Sequence, residues 1–170
     1  APLTVLQSRA VFLPDENIDT DIIFPARFLL ETDREGLGRF AFHDRRFRSD
    51  GSEVPDYPLN LEGGRDAQVL IAGAGFGCGS SREHAVWALV GHGIRLVIAP
   101  SFGDIFAGNA AKNGLLVLPL PASTCADLAR QAQAGAVFGL DVERQVLNVD
   151  GQHICDLDLS LQVQQALING

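Results

Sequence analysis

The residues best suited to chemistry in this sequence lie in one run, Gly77-Cys78-Gly79-Ser80-Ser81-Arg82-Glu83-His84. Two hydroxyls, a planar guanidinium and an imidazole follow glycines placed at every second position, Gly73, Gly75, Gly77 and Gly79. Such a set suits an anion. Glycines permit positive φ and close backbone approach, and a guanidinium grips a carboxylate through two parallel hydrogen bonds. Two common phosphate loops do not fit: no Lys follows the glycines as G-x-x-x-x-G-K-[ST] requires, and alternate glycines are not G-x-G-x-x-G. A small carboxylate or a phosphate is the ligand class that remains. A tight strand-to-helix turn with a capping serine and a surface arginine would use the same residues.

The elements around this run are those of an anion site. Residues 69–72 (VLIA) read as a buried strand, and a helical pattern begins after the two serines, either of which could cap it. First-turn N–H groups and the positive end of the helix dipole then point at the loop. Arg82 at that end opposes the dipole unless an anion lies between the two. Residues 95–99 and 115–118 read as further short buried strands, with helices over 104–113 and 123–133, the first closed by Gly114 and the second opened by a Ser or Thr cap. Alternation of this kind predicts an α/β fold with a mostly parallel, buried sheet flanked by helices. Asp150-Gly151 between apolar runs adds a β-hairpin, and residues 161–168 read as a last helix.

Upstream, residues 3–13 alternate in part and are expected to form an edge strand. The polar turn over 15–21 holds four acids, but its spacing is not that of a calcium loop. The apolar run after it is strand-like as far as Phe24 and turns at Pro25. Residues 31–65 are the least regular part, with a helix expected over 35–43 and a loop over 48–58; a long irregular segment in a compact domain is often functional.

With 170 residues and 46% hydrophobic content, the chain is long enough for one domain, residues 1–170, burying roughly 70% of its unfolded surface. No apolar run approaches the ~20 residues that span a bilayer, so a soluble, cytoplasmic protein without a membrane partner is expected. The net charge of −8 argues against nucleic acid. Twelve of the thirteen basic residues are Arg, six of them from Arg27 to Arg48, a solvated face or an interface. The three cysteines, Cys78, Cys125 and Cys155, are far apart and lack the C-x-x-C element common to iron–sulfur sites. No metal ligands are expected in this chain.

The string from Gly77 to Ala85, GCGSSREHA, resembles the signature of the swivelling domain of the aconitase superfamily. Three further stretches carry the resemblance: Asn17-Ile18-Asp19-Thr20-Asp21-Ile22-Ile23 with Pro25, Ala99-Pro100-Ser101-Phe102 with Asp104-Ile105-Phe106, and Asn109 with Asn113-Gly114-Leu115-Leu116. In order and spacing they are similar to bacterial small subunits of 3-isopropylmalate dehydratase, over nearly the whole chain. The resemblance implies a swivelling β/β/α domain and a hydro-lyase of leucine biosynthesis that works only with a large subunit, which carries the [4Fe–4S] cluster. It implies that Ser80 is the base, acting as an alkoxide, and that Ser81 and Arg82 hold a substrate carboxylate. Thr20 and Asp21 are expected near the site, Arg27 is a candidate substrate ligand, and the loop of Phe28, Leu29 and Leu30 is expected to sense the substrate's side chain. An apolar wall suits an isopropyl group, whereas a homoaconitase would need a cation there. Homoaconitase or a methylmalate-type hydro-lyase is the alternative within the class; a non-catalytic carboxylate- or phosphate-binding domain is the alternative outside it. Family members continue for some tens of residues, so a C-terminal tail beyond Gly170 is expected.

Overall fold

A computed structural model describes residues 1–30, 34–80 and 82–170, with the backbone alone at residues 34 and 35. Strand β1 (Val5–Leu13) leads through an extended turn to a short helix α1 (Thr20–Ile23). A 3₁₀ turn (Ala26–Phe28), a 3₁₀ helix (Arg34–Phe40), helix α2 (His43–Arg46) and a second 3₁₀ turn (Pro58–Asn60) follow. The α/β part comprises β2 (Val69–Ala72), α3 (Glu83–His92), β3 (Leu96–Ala99), α4 (Asp104–Ala110), β4 (Leu116–Pro119) and α5 (Ala122–Gln133). Strands β5 (Val137–Asp141), β6 (Val146–Val149) and β7 (Gln152–Asp156) and helix α6 (Leu161–Asn169) complete the chain.

All seven strands form one sheet in the order β4-β3-β2-β1-β5-β6-β7. The α/β class is as expected, but the sheet is mixed: β1 to β4 pair in parallel, while β1, β5, β6 and β7 pair antiparallel. The expected edge strand β1 is therefore central, with β2 on one side and β5 on the other. Its partly alternating pattern reflects the different covering of its two halves.

Period-two alternation sorts the parallel strands between two cores. Leu70, Ala72, Val97 and Ala99 join the core under α1, α3, α4 and the 3₁₀ segments. Val69, Ile71, Leu96 and Ile98 join the core under α5, α6 and the antiparallel strands. Because both faces are covered, β2 and β3 are apolar at every position and buried throughout. The sheet curls until residues 157–160, which follow β7, line a cleft of about 360 Å³ with β4 at the opposite edge. The hairpin signal is realised, with Asp150 and Gly151 both at positive φ.

Three local expectations change. Residues 22–24 are not a strand: the Asp19 carboxylate accepts from Ile22 N–H at 2.8 Å and caps α1 instead. The helix expected over 35–43 is a 3₁₀ helix ending at Phe40, followed by α2 after Phe42 at positive φ. Helix α5 starts after Pro121 with no side-chain cap. Among the described residues, no helix is long and apolar enough to cross a membrane.

Candidate active site

The alternate spacing of the glycines has a structural cause. Residues 73–79 run alongside residues 15–20, joined by bonds from Asn17 N to Ala74 O, Gly77 N to Ile18 O and Thr20 N to Cys78 O at 2.7, 2.7 and 2.9 Å. A β-carbon on Gly73 would lie 2.5 Å from Asp15 O, and one on Gly75 would lie 2.3 Å from Asn17 Oδ1. One on Gly77 would enter the ring of Phe106. The loop is therefore glycine-rich because neighbouring backbone at Gly73 and side chains at Gly75 and Gly77 leave no room for a β-carbon, with Gly75, Gly77 and Gly79 also at positive φ.

This pairing delivers Thr20 to Ser80. Thr20 is buried, at 3% exposure, and its hydroxyl donates to Ser80 O at 3.1 Å while standing 3.4 Å from Ser80 Oγ. Ser80 itself is exposed. It does not cap α3: the N-cap position is Arg82, which makes no side-chain capping bond, so the expectation of a serine cap is not met at Ser80. Ser81 lies outside the described residues. Arg82 N donates to Ser80 O at 3.0 Å, and Arg82 Nη1 reaches Asp21 Oδ1 at 3.4 Å. The same Asp21 oxygen accepts from Ala26 N at 2.9 Å. Asp21 thus ties Arg82, just after the glycine loop, to the turn that begins at Ala26.

Arg27 is occupied elsewhere. Both of its terminal nitrogens donate to the Asp44 carboxylate, one at 2.7 Å, and its guanidinium lies 4.5 Å from the centre of the Phe28 ring. That bond holds Asp44 below the usual carboxylate range. Phe28 stacks on Phe40 at 4.2 Å and packs with Leu29 against the core, while Leu30 is 92% exposed. Of the three loop residues expected to form an apolar wall, only Leu30 presents its whole side chain. His84 is held between Phe24 and Trp87, with ring centres at 5.5 and 4.9 Å, as a packed residue. Asp44, which the sequence reading passed over, stands out only as an acid within an arginine-rich stretch.

Among the described residues no three His, Cys, Asp or Glu side chains are grouped to hold a metal. Cys125 is buried, and Cys78 and Cys155 are half-buried thiols on separate elements. An iron–sulfur cluster, which needs three or four thiolates, does not fit this chain.

Comparison with known proteins agrees with this architecture. Residues 3–123 match the Aconitase C-terminal domain family. The 3-isopropylmalate dehydratase small subunit of Anaeromyxobacter dehalogenans is 45% identical over 169 residues, 99% of this chain and 87% of the relative. That of Gluconobacter oxydans is 53% identical over 146 residues, 85% of this chain and 70% of the relative. The crystal structure of 3-isopropylmalate dehydratase from Methanocaldococcus jannaschii superposes with a TM-score of 0.66 at 26% identity, covering 96% of this chain and 87% of that one.

Proposed function

Because the chain belongs to the family of 3-isopropylmalate dehydratase small subunits, within the aconitase superfamily, we propose that Ser80 is its catalytic base and that Arg82, Ser81 and Thr20 prepare the site around it. The family's activity is that of a hydro-lyase, interconverting 2- and 3-isopropylmalate in leucine biosynthesis by loss and re-addition of water. A proton must leave a carbon beside a carboxylate, and the group that takes it has to sit against that carbon.

One observation carries the assignment to Ser80. Its hydroxyl is exposed, is not used to cap α3, and has the buried Thr20 hydroxyl 3.4 Å away. A serine hydroxyl is a weak base and a weaker acid unless its anion is stabilised. The start of α3 and the Arg82 guanidinium supply positive potential at this point. Thr20 holds the Ser80 carbonyl and orients the residue, and its hydroxyl can turn toward a developing Ser80 oxyanion. Arg82, steadied by Asp21, supplies charge for a substrate carboxylate with Ser81 beside it. A [4Fe–4S] cluster, for which the described residues of this chain offer no ligand set, would be held by a large subunit and would supply Lewis-acid chemistry to the site. Arg27, bound by Asp44, serves the loop rather than the substrate. Leu30 supplies the apolar contact for the isopropyl group.

The test is turnover by this chain assembled anaerobically with its cluster-loaded large subunit, with 3-isopropylmalate and homoaconitate as competing substrates. Selective turnover of 3-isopropylmalate is expected. Ser80→Ala should lower kcat by at least about 10³-fold with assembly retained. Near-normal turnover in that variant removes Ser80 from the mechanism, and preference for the tricarboxylate removes Leu30 as the selectivity contact.

A further inference from the structure

The turn that carries Leu30 is pinned at two places by acids from different elements. At its start, Asp21 accepts the Ala26 N–H at 2.9 Å. At its middle, Asp44 from α2 takes both terminal nitrogens of Arg27. The same turn is stacked through Phe28 on Phe40, with rings 4.2 Å apart and inclined by 16°, and Phe28 meets His43 edge-on at 5.0 Å. Arg27 covers the other side of the Phe28 ring. The irregular segment between α1 and β2 therefore has a defined task for a small part of its length: it grips the 3₁₀ turn.

We propose that Asp44 is a positioning residue for substrate selection, fixing through Arg27 and Phe28 the turn whose outer end presents Leu30 to a branched aliphatic side chain. This rests on the reading of the site given above. The Arg27–Asp44 pair is about half exposed, at 56% and 54%, and a single surface ion pair contributes little to stability. Its geometry is two-pronged, however, and it acts together with a cation–π contact and a stacked aromatic pair, which restrict rotation of the turn. Loss of the carboxylate removes the two-pronged restraint on Arg27 and leaves the turn held by Asp21 and by the Phe40 and His43 rings. The effect falls on placement of Leu30, on a different element from Ser80. It should appear in how well the enzyme tells one side chain from another.

The experiment compares kcat and KM of the assembled holoenzyme for 3-isopropylmalate and for its methyl analogue, 3-methylmalate. Asp44→Ala is expected to raise KM for 3-isopropylmalate about tenfold while moving the methyl analogue by less than about twofold, with kcat nearly unchanged for both. Asp44→Glu, which keeps the charge, should restore most of the selectivity, and Asp44→Asn should not. An equal loss for both substrates, or unchanged selectivity in Asp44→Ala and Asp44→Asn, overturns the proposal. Ser80→Ala in the same assembly tests the underlying reading independently: if turnover survives there, the site assignment fails whatever Asp44 does.

Discussion

The Thr20 hydroxyl donates to the carbonyl oxygen of Ser80 at 3.1 Å and lies 3.4 Å from its Oγ, joining residues sixty positions apart in sequence. Thr20 is buried beneath the loop, so this hydroxyl is withheld from bulk water and directed at one residue. A hydroxyl held there needs only to rotate from the Ser80 carbonyl toward Oγ to meet the charge proposed for that atom.

Thr20→Val removes the donor and nearly preserves the volume. In the assembled enzyme, kcat should fall by about 10- to 100-fold with KM for 3-isopropylmalate changed by less than about threefold. Steady-state kinetics beside the wild type decide it. A rise in KM alone would assign Thr20 to ground-state binding instead.

Gly77 and Gly108 should respond oppositely to alanine. At Gly77, φ is +78° and the new carbon would lie 2.3 Å from the buried Phe106 ring, so strain and overpacking combine. A loss of about 2–3 kcal/mol is expected, which is roughly 5–10 °C in Tm for a chain of this size. Gly108 is exposed within α4 and a β-carbon there meets nothing within 4 Å. Gly108→Ala should stabilise by about 0.5–1 kcal/mol. Thermal melts of both variants give the comparison, and a neutral Gly77→Ala would show that the loop can move away from α4.

His92, at the end of α3, is held below its ordinary value of 6.5 by burial first and by the nearby Arg46 guanidinium second, against smaller opposing effects from Gly38 and Asp66. Its Nε2 is buried without a hydrogen-bond partner. The unfolded chain therefore binds a proton at His92 more readily than the folded one. Its effect is absent above pH 6.5; as pH falls below that value the unfolded state gains protons first, and stability declines until the folded-state value is passed. Denaturant melts between pH 7.5 and about 5 should show this slope, and His92→Gln should flatten it. An unchanged slope in the variant would place the pH dependence in other groups.

Much of the α/β half was legible in the sequence. The all-apolar runs at β2 and β3, Gly114 at positive φ and the Asp150-Gly151 hairpin depend on contacts within a few residues, or on burial from both faces, and the chain states both directly. The resemblance pointed to Thr20 and Ser80, but not to how they meet. That depends on residues 15–20 lying along the glycine loop, which follows from β1 pairing in parallel with β2. The same pairing made β1 central, although an alternating N-terminal strand reads as an edge.

Arg27 shows the limit most clearly. Its position beside an expected substrate loop suggested a ligand for a carboxylate, whereas in the fold α2 places Asp44 where it takes the guanidinium. Residue type, spacing and turn chemistry were enough to place a glycine loop, two serines and an arginine between a buried strand and a helix. That Asp44 restrains Arg27, that Arg82 reaches Asp21 and that Leu30 faces outward were decided by tertiary structure. Side-chain partners separated by tens of residues are chosen by sheet order and by the faces that burial turns together.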